Sequence, residues 1–465
     1  MRLSRYTVVS EPVCDKDTGA AYRIVFSTRS LEVFAASAGL WEIVEAGELE
    51  RLPAGMTERL HNAEILVAEE EDELSAVLAR SRDAIADATT LYECIQPTAA
   101  CQLGCNYCGQ RHSATKLSEK HQDELVERID GRLSGCRKLD ICWFGAEPLL
   151  GLSILRRLTH RLRDVALLHD CEYQARVVTN GMLLTPEVAR ELVRELDVRE
   201  IEVTLDGPPA AHDSRRHTKA GAPTFETIFT NLLALVRDDT LRVQWVVRCN
   251  VDRRNVEHVP EFVEMLAAAR LQGRISVYFA PIHDWGNGAD SLAVPADDYA
   301  ALEVDWLALL ALRGFAAPFL PGAKPIVCMA VNPRAELIDP SGDLYNCTEV
   351  PLVPSYGKEN AYSMGGLANP HSSPSARRLA GFLDDVEQRQ FPCASCPMLP
   401  VCGGACPKQW YEGRVPCPST KRNMKERLIL AWALNRIGAP VLGSSDVSDV
   451  YDPHTTGFTE LGQSG

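Results

Sequence analysis

The chain has 465 residues, more than a single hydrophobic core usually holds, so we expect more than one domain. Hydrophobic residues make up 46% and charged residues 24%, a balance typical of a soluble globular protein. The formal net charge of −15 argues against a nucleic-acid partner, because phosphate binding requires a basic surface. No apolar segment suited to export or to a bilayer is evident, so we expect no membrane association and a cytoplasmic location.

Residues 1–90 are expected to form a small winged-helix-like module. Turn-forming residues at positions 15–19 separate two β-like runs, and helical stretches follow. The predicted elements, in chain order, are strands at 6–9 and 22–26, helices at 39–46 and 56–61, and a short strand at 63–67.

Residues 91–314 alternate between β-rich runs and amphipathic helical patterns. The predicted strands are residues 92–96, 139–144, 172–179, 200–205, 242–250 and 274–280. The predicted helices are residues 119–133, 153–168, 186–196, 225–236 and 256–269. Such alternation indicates parallel βα units, so the expected fold class is α/β, a partial (β/α)6 TIM-like barrel. Ligands of such folds bind where the strands end.

Residues 321–425 lose helical periodicity and become dense in Gly, Pro and Cys, as expected where metal clusters take over part of the role of a hydrophobic core. The terminal segment 426–465 is expected to hold the end of a helix over 424–437 and then a mobile tail, residues 443–465. Of the 16 cysteines, ten are clustered, which in a reducing compartment indicates metal ligands rather than disulfides.

Three cysteines follow the first predicted barrel strand with the spacing Cys-x3-Cys-x2-Cys, namely Cys101, Cys105 and Cys108. A [4Fe–4S] cluster normally takes four thiolates, so three would leave one iron open to a substrate or cofactor. A zinc site would need a fourth nearby ligand, for which His112 is the close candidate.

This spacing, its place after the first strand and Tyr107 before the last cysteine resemble the radical S-adenosylmethionine (SAM) superfamily. The resemblance implies that the open iron binds the amino and carboxylate groups of SAM, and that one electron then releases a 5′-deoxyadenosyl radical. It also implies that residues at successive strand ends bind SAM, with Glu147 accepting from the ammonium. The implied SAM-binding residues are Gly145, Ala146, Glu147, Pro148, Asn180, Thr204, Asp206, Arg216, Arg248 and Asn250. Taken singly, Arg216 or Arg248 could instead pair with a surface carboxylate.

Seven further cysteines after residue 321 resemble the SPASM extension of radical enzymes that modify peptides and proteins. By that resemblance, one auxiliary [4Fe–4S] cluster is held by Cys393, Cys396, Cys402 and Cys417. The other is held by Cys328, Cys347 and Cys406. Residues 321–327 contain no cysteine, so we expect an open iron or a non-cysteine ligand there. The chain would then hold three [4Fe–4S] clusters.

The same resemblance implies a ribosomal precursor peptide as substrate, with its leader bound by the N-terminal module, and an external electron donor such as flavodoxin or ferredoxin. A structural cap on the barrel is the other interpretation of the module. The favoured reaction is an intramolecular side-chain cross-link (C–C, C–O or thioether), and epimerisation is an alternative. Sulfatase-type maturation is disfavoured, since Thr348 stands where those enzymes place an aspartate that acts as a base. A non-catalytic iron–sulfur electron carrier is the alternative from another class.

No catalytic residue is assigned from the sequence. Tyr278, His283 and Trp285 follow or end the sixth predicted strand, where they could line a peptide pocket or pack in the core.

Overall fold

The computed structural model describes residues 1–16 and 19–437. The predicted mobile tail and residues 17 and 18 of the predicted turn lie outside the described residues. The chain forms two compact units, and each is assembled from separated parts of the sequence. Among the described residues, the first unit contains Met1–Asp87, Ala296–Val331 and residues 381–437, and the second contains Ala88–Pro295 and Asn332–Ala380.

The strands and helices are numbered here in chain order. The strands are β1 (Arg2–Leu3), β2 (Thr7–Val9), β3 (Val13–Cys14), β4 (Ala21–Ser27), β5 (Val33–Ser37), β6 (Leu66–Val67), β7 (Thr90–Ile95), β8 (Lys138–Trp143), β9 (Glu172–Thr179), β10 (Val198–Thr204), β11 (Gln244–Val251), β12 (Ser276–Pro281), β13 (Ala335–Ile338), β14 (Leu344–Tyr345), β15 (Gly365–Gly366) and β16 (Asn369–Pro370). The α-helices are α1 (Ala38–Ala46), α2 (Met56–Asn62), α3 (Glu73–Ala86), α4 (Glu119–Arg132), α5 (Leu152–Leu168), α6 (Pro186–Arg194), α7 (Pro209–Asp213), α8 (Phe225–Val236), α9 (Val259–Ala268), α10 (Ala296–Leu312), α11 (Pro374–Ala380), α12 (Phe382–Glu387), α13 (Leu399–Cys402), α14 (Pro407–Tyr411) and α15 (Ser419–Arg436).

The second unit is built on an eight-stranded sheet in the order β12-β11-β10-β9-β8-β7-β13-β14. Strands β7 to β12 are parallel and neighbours in sequence are neighbours in space, which confirms the six predicted strands and their α/β pattern. Because parallel strands end at the same edge, the loops after β7 to β11 meet there.

The sheet continues into the cysteine-rich region, which the sequence pattern did not indicate. Strand β13 pairs with β7 in parallel, and β14 pairs with β13 antiparallel. The addition satisfies backbone groups at the β7 edge that would otherwise be buried and unpaired. Four residues are too short a run for periodicity to reveal.

The helices between these strands begin where capping residues allow. Ser118 accepts from the His121 N–H at the start of α4, and Thr185 accepts from the Val188 N–H at the start of α6, where Pro186 takes the first helical position. Helix α5 buries an apolar stripe that includes Leu158 and Leu162, as the helical period requires.

In the first unit, β4 is the central strand of a small antiparallel sheet and pairs with β2, β3 and β5. Trp41 of α1 and Val25 of β4 are buried in its core. The strands and helices predicted for this region are present. Strands β1, β3 and β5 and helix α3, which Asp72 caps, are additional. The winged-helix assignment itself stays a prediction.

Helix α10 lies within the segment assigned to the barrel from sequence, but it packs on α15 in the first unit. Arg427 of α15 pairs with Glu303 of α10, and Asn423 joins them by donating to Glu303 at 3.0 Å. Helix α15 begins at Ser419, five residues before the predicted start. Among the helices of the described residues, none combines the length and apolar character needed to cross a bilayer.

Candidate active site and cysteine clusters

The loop that carries Cys101, Cys105 and Cys108 leaves the end of β7 and docks on the segment that follows α7. The Gly104 N–H donates to the His217 carbonyl at 2.9 Å, and the Lys219 N–H donates to the Gln102 carbonyl at 3.0 Å. Backbone hydrogen bonds at both positions fix the path of the loop.

Tyr107, between the second and third cysteines, is the centre of a buried polar network. Its hydroxyl donates to Asp206 Oδ2 at 2.5 Å and accepts from Arg216 at 2.7 Å and from Asn250 Nδ2 at 3.2 Å. Asn250 also donates from its backbone N–H to Asp206 Oδ1 at 2.9 Å. Three of the predicted SAM-binding residues therefore meet at the tyrosine of the cysteine loop.

The charges in this network balance one another out of contact with water. Arg215, fully buried, lies 3.0 Å from Asp252 and 3.7 Å from Asp206. Burial alone would raise the pKa of Asp206, but the guanidinium groups of Arg215 and Arg216 hold it below its ordinary value. Asp206 is therefore ionised and anchors the arginines.

His212, in its neutral form, supports the loop that follows β10 and carries Asp206. Its Nδ1 accepts from the Asp206 N–H at 3.1 Å, and its Nε2 lies 3.1 Å from the Thr224 hydroxyl. Burial, with the nearby charge of Arg216, lowers the pKa of His212 to about 4. An uncharged ring is needed for Nδ1 to accept a hydrogen bond.

Glu147 joins the loop after β8 to the loop after β9. It is fully buried; Oε2 accepts from the Asn180 N–H at 2.8 Å, and Oε1 accepts from the Thr179 hydroxyl at 2.8 Å and the Leu149 N–H at 3.0 Å. Asn180 in turn donates from Nδ2 to Cys101 Sγ at 3.7 Å. The carboxylate thus positions the loops next to the cysteines, and its role as acceptor for an ammonium stays a prediction.

The backbone before Glu147 turns sharply. Gly145 has φ +82°, and a Cβ there would meet Gln96 at 2.6 Å, so this position requires glycine. Ala146 has φ +24°, where a side chain is disfavoured, and its N–H donates to Gln110 Oε1 at 2.9 Å. No sequence pattern indicated this contact of Gln110.

The remaining predicted SAM-binding residues lie farther from the triplet in the hydrogen-bond network. Pro148 is buried at the start of a short 3₁₀ turn, and Thr204 ends β10 opposite Arg248 of β11. Arg248 donates to Asn250 Oδ1 at 2.8 Å and lies over the ring of Tyr278. Arg248 is therefore linked to the cysteine loop through Asn250.

The loop after β12 contacts the cysteine loop directly. Asn287 Nδ2 donates to the carbonyls of Tyr107 and Cys108, at 3.3 Å each. Trp285 packs against Gly109, whose absent side chain leaves room for the indole. Sequence reasoning placed Trp285 at this end of the sheet but missed the role of Asn287, which no spacing indicates.

The three thiols are a chemically suitable donor set for an iron–sulfur cluster. Burial raises the pKa of Cys101 to about 11, and the charges of Glu147, Cys105 and Cys108 act in the same direction. Neighbouring buried thiolates are stable only beside positive charge, which iron supplies. His112 Nε2 lies 3.8 Å from Cys108 Sγ. Within the described residues, no three His, Cys, Asp or Glu side chains converge on a single ion.

The first unit gathers a second cysteine set at the start of α15. Burial raises the pKa of Cys393 to about 12, and the charges of Cys402, Cys417 and Cys396 add to this effect, so these three thiols lie within electrostatic range of Cys393. Cys402 Sγ accepts from the Gly404 N–H at 3.4 Å. Four thiols are the number that a [4Fe–4S] cluster takes, so this set matches the predicted ligands of one cluster.

Cys328 and Cys406 are also neighbours in the first unit. Burial, followed by the charge of Cys406, raises the pKa of Cys328 to about 12. Cys347, buried just after β14, belongs to the second unit. The three-cysteine cluster with an open iron therefore stays a prediction.

Residues 95–266 match the Radical SAM superfamily. A serine-type anaerobic sulfatase-maturating enzyme of Bacteroides thetaiotaomicron is 26% identical over 369 residues, covering 70% of this chain and 84% of that protein. An AdoMet-dependent heme synthase of Methanosarcina barkeri is 27% identical over 205 residues, or 43% of this chain and 53% of that protein.

A solved structure has a similar fold. Native anSMEcpe with bound AdoMet and Kp18Cys peptide aligns with a TM-score of 0.56 and 16% sequence identity, covering 75% of this chain and 98% of that one. At this level of identity the likeness concerns the fold alone.

Proposed function

We propose that this chain, which carries a radical SAM domain at residues 95–266, is a peptide maturase that removes a hydrogen atom from a ribosomally made precursor peptide and most readily forms a side-chain cross-link. The proposal is carried by one observation: a loop with three thiols lies at the strand ends, fixed by Asp206, Arg216 and Asn250 through Tyr107. A loop so constrained can hold a cluster in one orientation.

The residues that would hold the cofactors follow from this arrangement. Cys101, Cys105 and Cys108 would ligate a [4Fe–4S] cluster, and SAM would lie beside Asn180 and the turn at Ala146. When bound, this pair supplies a 5′-deoxyadenosyl radical that abstracts hydrogen.

The chain's own residues orient that site. Asp206 and the two arginines keep Tyr107 in place, since each would be costly to bury without its partner. Asn287 and Trp285 hold the outer side of the loop. Arg248, half-buried beside Tyr278, is the residue we assign to the SAM carboxylate or ribose.

The first experiment is anaerobic incubation of the reconstituted, dithionite-reduced protein with SAM. We expect 5′-deoxyadenosine by liquid chromatography and mass spectrometry, and none from Cys101→Ala, Cys105→Ala or Cys108→Ala. Cys14→Ser is the matched control, because Cys14 is exposed and lies outside all three clusters. Wild-type protein that holds clusters but forms no 5′-deoxyadenosine would favour the electron-carrier alternative.

The auxiliary clusters and the SPASM domain form the second part of the proposal. Cys393, Cys396, Cys402 and Cys417 would hold one cluster, and Cys328, Cys347 and Cys406 the other. The grouping of the first four thiols supports this assignment. Iron quantification and Mössbauer spectra of Cys393→Ala against wild type test it: we expect a loss of about four irons from twelve, one cubane's share.

A peptide substrate is supported by the similarity to a sulfatase-maturating enzyme. Thr348 stands where sulfatase-maturating enzymes place an aspartate as a base, and its hydroxyl donates to Glu349 at 3.2 Å. Because a threonine is not such a base, sulfatase-type maturation stays an alternative only. Mass spectrometry of a co-expressed precursor peptide decides: loss of two hydrogens with a fragment ion joining two residues supports a cross-link, while an unchanged mass supports epimerisation.

The N-terminal module is assigned to leader-peptide binding, by addition of a strand to the β2–β5 sheet. Deleting the leader from the peptide is expected to abolish modification while 5′-deoxyadenosine formation by the enzyme alone continues. Equal modification of peptides with and without a leader would support the structural-cap interpretation.

A further inference from the structure

A lysine lies directly beside the cysteine set at the start of α15. Cys417 is two residues ahead of the helix, and Lys421 is in its first turn. The Lys421 ammonium donates to Cys417 Sγ at 3.5 Å. Nitrogen–sulfur contacts of this length are hydrogen bonds, because sulfur is larger than oxygen.

The ammonium also acts on other thiols of the set. The charges of Cys396, Cys417 and Cys393 interact with it, so this cation lies within electrostatic range of three of the four thiols.

Its neighbours on the same helix have carboxylate partners. Arg422 pairs with Asp297, and Lys425 lies 2.9 Å from Glu11. A carboxylate therefore neutralises the charge of each of these two side chains. The charge of Lys421, by contrast, lies next to the sulfur of Cys417.

We propose that Lys421 raises the reduction potential of the cluster held by Cys393, Cys396, Cys402 and Cys417, so that this cluster takes up an electron more easily. The inference rests on the proposed function, which supplies the cluster. Reduction adds one negative charge to the cluster, and a nearby cation stabilises that charge. Hydrogen bonds to cluster sulfurs and net charge are among the factors that set such potentials.

A raised potential suits an oxidative reaction. A substrate radical that closes a cross-link must release one electron and one proton, so the protein needs a one-electron acceptor. Lys421 would make this cluster a better acceptor of that electron. It touches a ligand rather than a reacting atom and is therefore a tuning residue.

The test is an anaerobic redox titration of the full-length reconstituted protein, followed by electron paramagnetic resonance. In Lys421→Gln we expect one cluster's potential to fall, corresponding to a threefold to tenfold smaller equilibrium constant for its reduction, where tenfold is 59 mV for one electron. Lys421→Arg keeps the charge and should retain most of the wild-type potential. Lys425→Gln, one turn along, should change nothing.

Ionic strength gives a second readout. Lys421 is exposed, so salt should screen its charge, and the difference between wild type and Lys421→Gln should shrink at about 1 M salt. Unchanged potentials in a fully loaded Lys421→Gln protein would overturn the inference, as would an equal shift in Lys425→Gln. If wild type instead lacks a cluster at these four cysteines, the proposed function fails at that point, and the iron content reports it separately.

Discussion

Replacing Gly109 by alanine tests whether Trp285 holds the cysteine loop. A Cβ at Gly109 would lie 2.3 Å from Cβ and Cγ of Trp285 and 2.5 Å from Cδ1. Carbon atoms come into ordinary contact at about 3.5 Å, so one chain must retreat by about 1 Å. The atoms that clash lie next to the Trp285 backbone, so a change of rotamer cannot remove the overlap.

Displacing Trp285 should disturb the cysteine loop more than the fold as a whole. Moving Trp285 would lengthen the 3.3 Å contacts from Asn287 to the Tyr107 and Cys108 carbonyls. Overpacking of this kind costs about 1–3 kcal/mol. We expect Gly109→Ala to lower the melting temperature by a few degrees and to reduce the iron bound at Cys101, Cys105 and Cys108.

The assays are differential scanning fluorimetry and iron quantification after anaerobic reconstitution. Gly131→Ala is the matched control, because this glycine lies in α4 with nothing within 4 Å of the added carbon. It should be neutral or slightly stabilising. Gly109→Ala combined with Trp285→Gly removes Cβ, Cγ and Cδ1 of residue 285 together and should recover part of the iron binding. If the double variant is no better than Gly109→Ala alone, or if Gly109→Ala resembles wild type, the steric account is wrong.

Two further predictions concern stability. The folded state lowers the pKa of His212 from 6.5 to about 4, so as the pH falls the unfolded chain binds this proton first. The free energy of unfolding should therefore decrease between about pH 6.5 and pH 4, by about 3 kcal/mol in total. In denaturant titrations, His212→Asn should lose less stability than wild type between pH 7.5 and pH 5, and equal losses would contradict the assignment. Arg427→Ala leaves the Glu303 carboxylate buried without its cation and should cost about 3–5 kcal/mol of stability. Arg422→Ala breaks an exposed pair with Asp297 and should cost less than about 1 kcal/mol. Similar losses in both variants, measured by urea unfolding, would show that burial does not determine how much an ion pair contributes to stability.

Hydrophobic periodicity predicted the strands and helices of the second unit well. Strand β9, for example, is found over the predicted residues, and α4 ends one residue early. Local sequence carries this information because alternating apolar residues bury one face of each element. The strand pattern also placed Asp206 and Asn250 at neighbouring strand ends, where the structure shows the Asn250 N–H donating to Asp206 Oδ1.

Hydrophobic periodicity did not predict the hydrogen-bond partners of polar and charged side chains. The alternative interpretation of Arg216 as a surface ion pair is wrong, because its guanidinium is buried and donates to the Tyr107 hydroxyl, 109 residues earlier in the chain. Asn287 reaches back 180 residues to the Tyr107 carbonyl. Spacing within a motif says nothing about contacts of this kind, because they depend on which loops the sheet order brings together.

The sequence by itself determined the order of the βα units and the cysteine spacing, since both are encoded by residues close together in the chain. Only the tertiary structure decided that α10 packs on α15, that β13 extends the sheet beside β7, and that Lys421 lies against Cys417. Each of these depends on which surfaces and backbone edges need a partner once the local elements have formed. Packing between elements distant in sequence supplies that information, and no local pattern contains it.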